Sequence, residues 1–191
     1  MHKHFPKSFA IIDSYDKNLF KYNTSNFGII YRNYKSTSAC SELNKIALNC
    51  RKKRIPFFIS NNIGQVIKYK ATGIYLPAFN KSGIRNLLFA KKNILVLGSA
   101  HNAREIKEKI NQGCDAIFVS PVFKTKNYKK TLGIYKFNLL TRNSKIKFYA
   151  LGGINHNNLK KIKVLNAIGF SGITLYKKKP AQINGPVSIK L

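Results

Sequence analysis

The sequence is poorest in acid. Six Asp and Glu stand against 35 Lys and Arg in 191 residues, giving a formal net charge of +29. So few carboxylates leave little room for paired-acid chemistry or for metal sites built from several acids. Cysteine is scarce as well, with Cys40, Cys50 and Cys114 an odd set of three that contains no C-x-x-C pair. That excludes a disulfide framework and a cysteine zinc site, and points to a reducing, cytoplasmic setting. No apolar run approaches the ~18–20 residues of a membrane helix. The longest, such as 94–97, have the length of strands. The first residues, Met1 to Pro6, lead into only four apolar positions, so no signal peptide is expected.

What is present suits a folded domain. Hydrophobic residues make up 44% of the chain and aromatics 12%, ample for a buried core and at odds with disorder, which pairs high charge with low hydrophobicity. The length fits one domain of ~100–200 residues. The basic excess has three readings: compositional drift in a chain rich in Lys, Asn and Ile, a nucleic-acid footprint, or a field that draws in an anionic small molecule. The lysine pairs at 52–53, 91–92, 129–130 and 160–161 are dispersed and accompany no nucleic-acid motif, which disfavours nucleic acid as a partner.

Short β-like runs alternate with helical patterns along the chain. Strands are expected over 9–13, 27–32, 56–60, 73–77, 94–99, 116–121, 147–152 and 171–176. Between them, Leu43, Ile46, Ala47 and Cys50 recur at one face of a helix, as do Ile63, Val66 and Ile67, then Ile84, Leu87 and Leu88, then Ala103, Ile106 and Ile110. Asn102 followed by Glu105 reads as a capping box opening the last of these. Strands such as Ile117-Phe118-Val119 are continuously apolar, the mark of a parallel sheet covered on both faces. Eight such units predict a compact (β/α)8 TIM barrel, shorter than the ~250 residues typical of that fold. Its first βα unit is short, with Leu19, Phe20 and Tyr22 covering the barrel. A single domain is expected over 1–179, with 180–191, which holds Pro180, Gly185 and Pro186, as a C-terminal tail.

Barrels of this kind carry their chemistry at the carboxyl ends of the strands. The residues expected there include Asp13, Arg32, Ser60, Asn61, Ser99, His101, Ser120, Gly152 and Gly153, a polar rim whose only carboxylate is Asp13. Leu151-Gly152-Gly153-Ile154-Asn155 ends the seventh strand before an expected helix, where glycine lets backbone N–H groups close on a phosphate. The lysine run from Lys177 to Lys179, at the end of the expected eighth strand, faces it. His101 shows no evident partner for work as a general base and reads as a residue that helps the following helix start. His156 reads as a phosphate neighbour or a solvated residue.

Four motifs then line up. Ser120-Pro121-Val122-Phe123-Lys124-Thr125 follows strand six, Gly133 comes after its loop, and Ala150-Leu151-Gly152-Gly153-Ile154-Asn155 closes strand seven. Upstream lies Gly98-Ser99-Ala100-His101 with Glu105. In this order, over roughly 9–178, the chain resembles the thiamine phosphate synthase family, which also includes thiazole tautomerase. The resemblance implies a transferase that joins hydroxymethylpyrimidine diphosphate to thiazole phosphate and releases pyrophosphate. It also implies small phosphorylated pyrimidine and thiazole partners, and magnesium as cofactor.

Carried over residue by residue, the resemblance makes Arg32, Lys35, Asn61, Thr125 and Lys129 the pyrophosphate-handling set. Gly152, Gly153 and Lys177 would bind the thiazole phosphate, and Ser99, Ser120 and Gly133 would line the pocket. The chain departs from the family in the arginine motif, where Ile30 replaces glutamine, Tyr34 stands at the lysine position and Lys35 comes one residue late. The two metal-binding aspartates fall on Asn61 and Asn80, and neutral amides are poor sole ligands for a hard cation. Asp13 is the candidate replacement; otherwise the substrate's phosphates carry the metal, or lysines neutralise in its place. Pro121 at the tautomerase histidine position argues against tautomerase activity. Two other readings stay open, a non-catalytic relative that binds a thiamine-related phosphate and a basic nucleic-acid-binding barrel. No feature of the sequence signals an oligomeric state.

Overall fold

The computed structural model describes residues 5–21, 26–34, 39–82, 94–125, 128, 130–172 and 175–176. Their strands are β1 (Ser8–Ile12), β2 (Phe27–Tyr31), β3 (Phe57–Ser60), β4 (Gly73–Leu76), β5 (Leu95–Ala100), β6 (Ala116–Val119), β7 (Lys147–Leu151) and β8 (Gly169–Ser171). Each pairs in parallel with the next, and β8 returns to β1, closing the barrel in chain order. Outside it lie α1 (Ala39–Lys52), α2 (Ile63–Lys68), α3 (Ala103–Asn111) and α4 (Gly133–Thr141), with 3-10 turns at Lys17–Lys21 and Leu159–Val164. This is the expected TIM barrel.

The helices form where the apolar period places them. Leu43, Ile46, Ala47 and Cys50 are all buried on the inner face of α1. Ahead of α3, the Asn102 side chain accepts from Glu105 N at 3.0 Å. Glu105 reaches back one residue further than a simple capping box, its Oε2 accepting from His101 N at 2.7 Å. That bond ties the end of β5 to the first turn of the helix.

Alternate strand residues point into the barrel and pack a second, apolar core. It contains Phe9, Ile11, Ile30, Phe58, Tyr75, Leu97, Phe118 and Tyr149. The Phe9 ring meets Phe58, Phe118 and Tyr149 edge-on, with centroids at 5.6, 5.4 and 5.2 Å. Each such ring contributes roughly 1.5–3 kcal/mol by burial. The Tyr149 hydroxyl finds its partner in Pro6 O at 2.7 Å, so a polar tip is satisfied beneath the plug. Carried one step further, the same alternation brings Asp13, Arg32, Ser60, Ser99 and Ser120 to the mouth. The middle of the barrel is therefore an aromatic plug, and its carboxyl end is polar.

Two expectations need correction. The eighth strand lies at Gly169–Ser171, not 171–176, because its register pairs Gly169 with Tyr149 and Ser171 with Leu151. A β-carbon at Gly169 would strike Lys7 O and the Tyr149 ring, so a glycine opens the strand where a side chain has no room. The apolar run that suggested a strand reflects burial instead: Leu175 is buried and sits with Tyr176 in a turn. The segment after Gly153 is a 3-10 turn beginning only at Leu159, so no α-helix N-terminus follows the glycines directly. The link after β1 holds a 3-10 turn that buries Leu19 and Phe20, as the short first unit requires. Tyr22, the helical pattern at 84–88 and the tail at 180–191 lie outside the described residues.

Candidate active site at the barrel mouth

Arg32 leaves β2 with its backbone N donating to Ile12 O at 2.7 Å, which fixes where its side chain starts. Its neighbour inside the mouth is Tyr75, a fully buried ring on β4. Burial pushes the Tyr75 hydroxyl above its ordinary range, while hydrogen bonding to Ser99 and the nearby charge of Arg32 draw it back. Arg32 and Ser99, expected in one site, both neighbour a tyrosine that the sequence reading did not single out. The alternation of inward positions along β4 was the signal that could have found it.

Asn61 follows β3 in the left-handed region, at φ 58°, with its N donating to Tyr75 O at 2.9 Å. That conformation, which asparagine tolerates better than most residues, turns its amide toward the loop after β4. There the Asn80 amide donates to the Asn61 side-chain oxygen. Asn80 Oδ1 in turn accepts from Ser82 N at 2.8 Å. The two positions that the resemblance assigns to metal carboxylates are therefore adjacent, and they are occupied by neutral amides whose oxygens already accept hydrogen bonds. Such a donor set does not fit magnesium, which prefers carboxylate oxygen and water. Asp13 does not repair it. Its carboxylate accepts from Ser14 Oγ at 3.2 Å, and it lines a cavity of about 260 Å³ with Asp16 and Tyr176, neither Asn61 nor Asn80 among its walls. Among the described residues no cluster of three His, Cys, Asp or Glu side chains could hold a metal ion.

A second group surrounds Ser120, at the end of β6. His101 Nδ1 lies 2.9 Å from Ser120 O and 3.2 Å from Ser120 Oγ. A carbonyl only accepts, so the first contact places a proton on Nδ1. The ring also leans on Tyr128, with centroids 5.8 Å apart. The expectation that His101 lacks a partner is corrected here. The two residues are 19 apart in sequence and meet only because β5 and β6 are neighbours.

The glycine pair sits against the same strand. Gly152 and Gly153 both take positive φ, at 91° and 70°. A β-carbon on Gly152 would lie 2.8 Å from Pro121 Cα, and one on Gly153 would lie 2.5 Å from Phe123 O. Val122 N and Phe123 N donate to Leu151 O and Gly152 O at 2.9 and 3.0 Å, stitching the loops together. Asn158 Nδ2 holds Gly153 O at 2.8 Å. The glycines are thus required by backbone packing as well as by any anion they receive. Thr125 Oγ1 accepts from Tyr128 N at 3.1 Å, and Gly133, at φ 64°, donates its N to Val122 O at 3.0 Å, closing the 121–133 excursion. Lys35, Lys129 and Lys177 lie outside the described residues.

One residue escaped the sequence reading altogether. Lys109 on α3 is fully buried, its ammonium donating to Asn80 O at 2.6 Å and Gln112 Oε1 at 2.8 Å. Burial pushes it below the ordinary lysine range, against the opposing pull of Cys114, Glu108 and Glu105. Its spacing of three from Ile106 was the available signal, masked by the charged residues around it.

Comparison with known proteins agrees with this architecture. The chain is 36% identical over 126 residues to a thiamine-phosphate synthase of Prochlorococcus marinus subsp. pastoris, an alignment covering 64% of this chain and 34% of that protein. It therefore spans about a third of that relative's length. A thiamine-phosphate synthase of Pediococcus pentosaceus is 24% identical over 164 residues, covering 81% of this chain and 76% of the other. In fold, the thiamine phosphate pyrophosphorylase of Pyrococcus furiosus superposes with a TM-score of 0.73 at 17% identity, covering 90% of each chain. The family model for thiamine monophosphate synthase matches residues 26–176, from the start of β2 past the end of β8. On that match, spread across most of the barrel and both halves of its mouth, the chain belongs to the thiamine monophosphate synthase family.

Proposed function

We infer that this protein is a transferase that joins hydroxymethylpyrimidine diphosphate to thiazole phosphate, forming thiamine phosphate and pyrophosphate. The observation that carries this is the meeting of Arg32, Tyr75 and Ser99 at the mouth of a barrel that matches the family over 26–176. In the reaction the methylene–oxygen bond breaks and its electron pair leaves with the diphosphate. The thiazole nitrogen then supplies its lone pair to the resulting pyrimidine-methyl cation, closing the new carbon–nitrogen bond.

The demand on the protein is to stabilise a departing anion and keep two rings in line. Arg32 suits the first task, since its planar fork stays charged and can grip phosphate oxygens in pairs. Tyr75 and Ser99 neighbour it in the mouth. Gly152 and Gly153 offer backbone to the thiazole phosphate, and Ser120, Thr125 and Gly133 shape the wall between. Lys35, Lys129 and Lys177 belong to the same proposal as further phosphate partners, with 1–179 as the catalytic unit. No step is assigned to magnesium, because the Asn61 and Asn80 amides do not make its site. That same pair favours a second reading, a relative that binds the thiazole phosphate without turnover.

One experiment separates the two. The purified protein is incubated with both substrates, with and without magnesium, and thiamine phosphate is sought by mass spectrometry. Product that disappears in Arg32→Ala supports the transferase. No product under either condition, together with thermal stabilisation by thiazole phosphate, overturns it in favour of the binding relative.

A further inference from the structure

The six carboxylates are unevenly placed. All lie at or before Asp115, while residues 116–191 carry 15 Lys and Arg and no Asp or Glu. Because the barrel closes in chain order, this imbalance along the sequence becomes one around the circumference. The sector from β6 to β8 has no carboxylate of its own to offset its cations. Enrichment in lysine does not by itself put apolar side chains in solvent, yet the outer face of this sector shows both.

On α4, Tyr135 and Leu139 stand one turn apart on a single stripe, 78% and 47% exposed. Arg142, which caps the helix, continues the stripe. Val164, 58% exposed, ends the 3-10 turn that follows β7. The two elements are clamped together. Asn138 Nδ2 donates to Val164 O at 2.9 Å, its Oδ1 accepts from Asn166 N at 2.8 Å, and Asn166 Nδ2 donates to Thr141 Oγ1 at 3.3 Å. Phe137, Thr141 and Ile162 are buried beneath them. On the same two elements Lys136, Lys160, Lys161 and Lys163 are exposed. This is a fixed face on which apolar groups stand among cations.

Chemistry narrows the occupant. Cations alone would suit nucleic acid, but Leu139 and Val164 offer nothing to a phosphate backbone. A lipid interface uses both kinds of group: anionic headgroups attract the cations, and the boundary with the acyl chains takes up tyrosine and aliphatic side chains. At nine residues α4 is too short to span a bilayer and is suited to lie on one. We propose that this face docks on an anionic membrane surface, with Tyr135, Leu139 and Val164 entering the interface. The face lies on the barrel's flank and not at its mouth, so it stands whether or not the barrel performs the transfer.

The chain has no tryptophan, so Tyr135→Trp places a single reporter on the face and Phe79→Trp places one on the loop after β4. The full chain is mixed with vesicles of phosphatidylcholine alone, and of equal parts phosphatidylcholine and phosphatidylglycerol. With the anionic vesicles the Tyr135→Trp emission should shift to the blue, less so as salt rises, while Phe79→Trp stays unshifted. In co-sedimentation, reversing Lys160, Lys161 and Lys163 together to Glu should weaken binding at least ~10-fold. Leu139→Ser combined with Val164→Ser should weaken it several-fold at constant charge. The control reverses Arg51, Lys52 and Lys53 at the end of α1, which lies between β2 and β3, four strands round the ring from α4. That change should cost no more than about threefold, because screening isolates charges so far from the contact. Melting curves confirm that each variant is folded. Absence of binding to anionic vesicles, equal losses from the two charge reversals, or wild-type binding in the serine variant overturns the proposal. So does a Tyr135→Trp shift that appears with duplex DNA and not with vesicles, or with protein concentration alone, which would assign the face to nucleic acid or to a second copy of the chain.

Discussion

On the β6–β7 side of the mouth, Gly152 and Gly153 lie against Pro121 and Phe123 with no room for a β-carbon. On the β2–β4 side, Tyr34 and Phe79 meet in solvent, and Asn61 and Asn80 share a hydrogen bond between side-chain tips. The first side carries the glycine pair on which the resemblance rests; the second holds the amides that stand where the resemblance expects metal carboxylates. The difference teaches which constraint acts where. Backbone pressed on backbone admits only glycine, whatever the ligand, so the motif doubles as a packing rule. Side chains that meet at a rim can change chemistry while the strands beneath keep their register.

The sharpest way to break this comparison is Gly153→Ala. The substitution combines a positive φ with a β-carbon 2.5 Å from backbone atoms of Phe123 and Lys124. Conformational strain and overpacking together should remove on the order of 3 kcal/mol, read as a fall in Tm of roughly 10 °C. Wild-type stability would show that the glycine is kept for its ligand and not for packing. On the other side, Arg32→Ala should leave the melting curve within about 1 kcal/mol of wild type and lower kcat/KM by at least ~100-fold. A large loss of stability there would make Arg32 structural.

Lys109→Met tests how the altered side is braced. It keeps the apolar stem, removes the ammonium and leaves Asn80 O with Gln112 as its side-chain partner, for an expected loss of about 1–2 kcal/mol in urea unfolding. The pH dependence has a definite sign. Because burial holds Lys109 below the ordinary lysine value of 10.5, the unfolded chain binds the extra proton in the window just under that value. Wild-type stability relative to the variant should therefore rise as pH climbs from the folded pKa toward 10.5 and stay level below the folded pKa. A flat difference across that window would show that the ammonium is not desolvated. The smallest effect belongs to Gly133→Ala, which shares a positive φ with Gly153 but has nothing within 4 Å of its β-carbon. Strain alone predicts about 1 kcal/mol. A loss as large as that of Gly153→Ala would mean that packing is not what distinguishes the two.

The barrel was legible because its determinants are local. Continuous apolar strands and the α1 face from Leu43 to Cys50 declare burial directly, and Asn102 with Glu105 marks where α3 begins. The eighth strand was misplaced because burial and ladder pairing are different things: Leu175 is buried without being in the sheet. The glycine and serine positions of the mouth were readable from motif order. Pairs across the mouth were not, since His101 meets Ser120 and Asn61 meets Asn80 only through closure of the barrel. Lys109 was hidden by its charge, which on a helix ordinarily signals a solvated face.

The central claim is that this mouth, with amides in place of metal carboxylates, performs the family's transfer. Its most direct measurement follows pyrophosphate and thiamine phosphate together in one reaction of the purified protein with both substrates. The account predicts equal amounts of the two products, formed by the wild type and lost in Arg32→Ala. Pyrophosphate released without thiamine phosphate, or neither product from a folded protein, would contradict it.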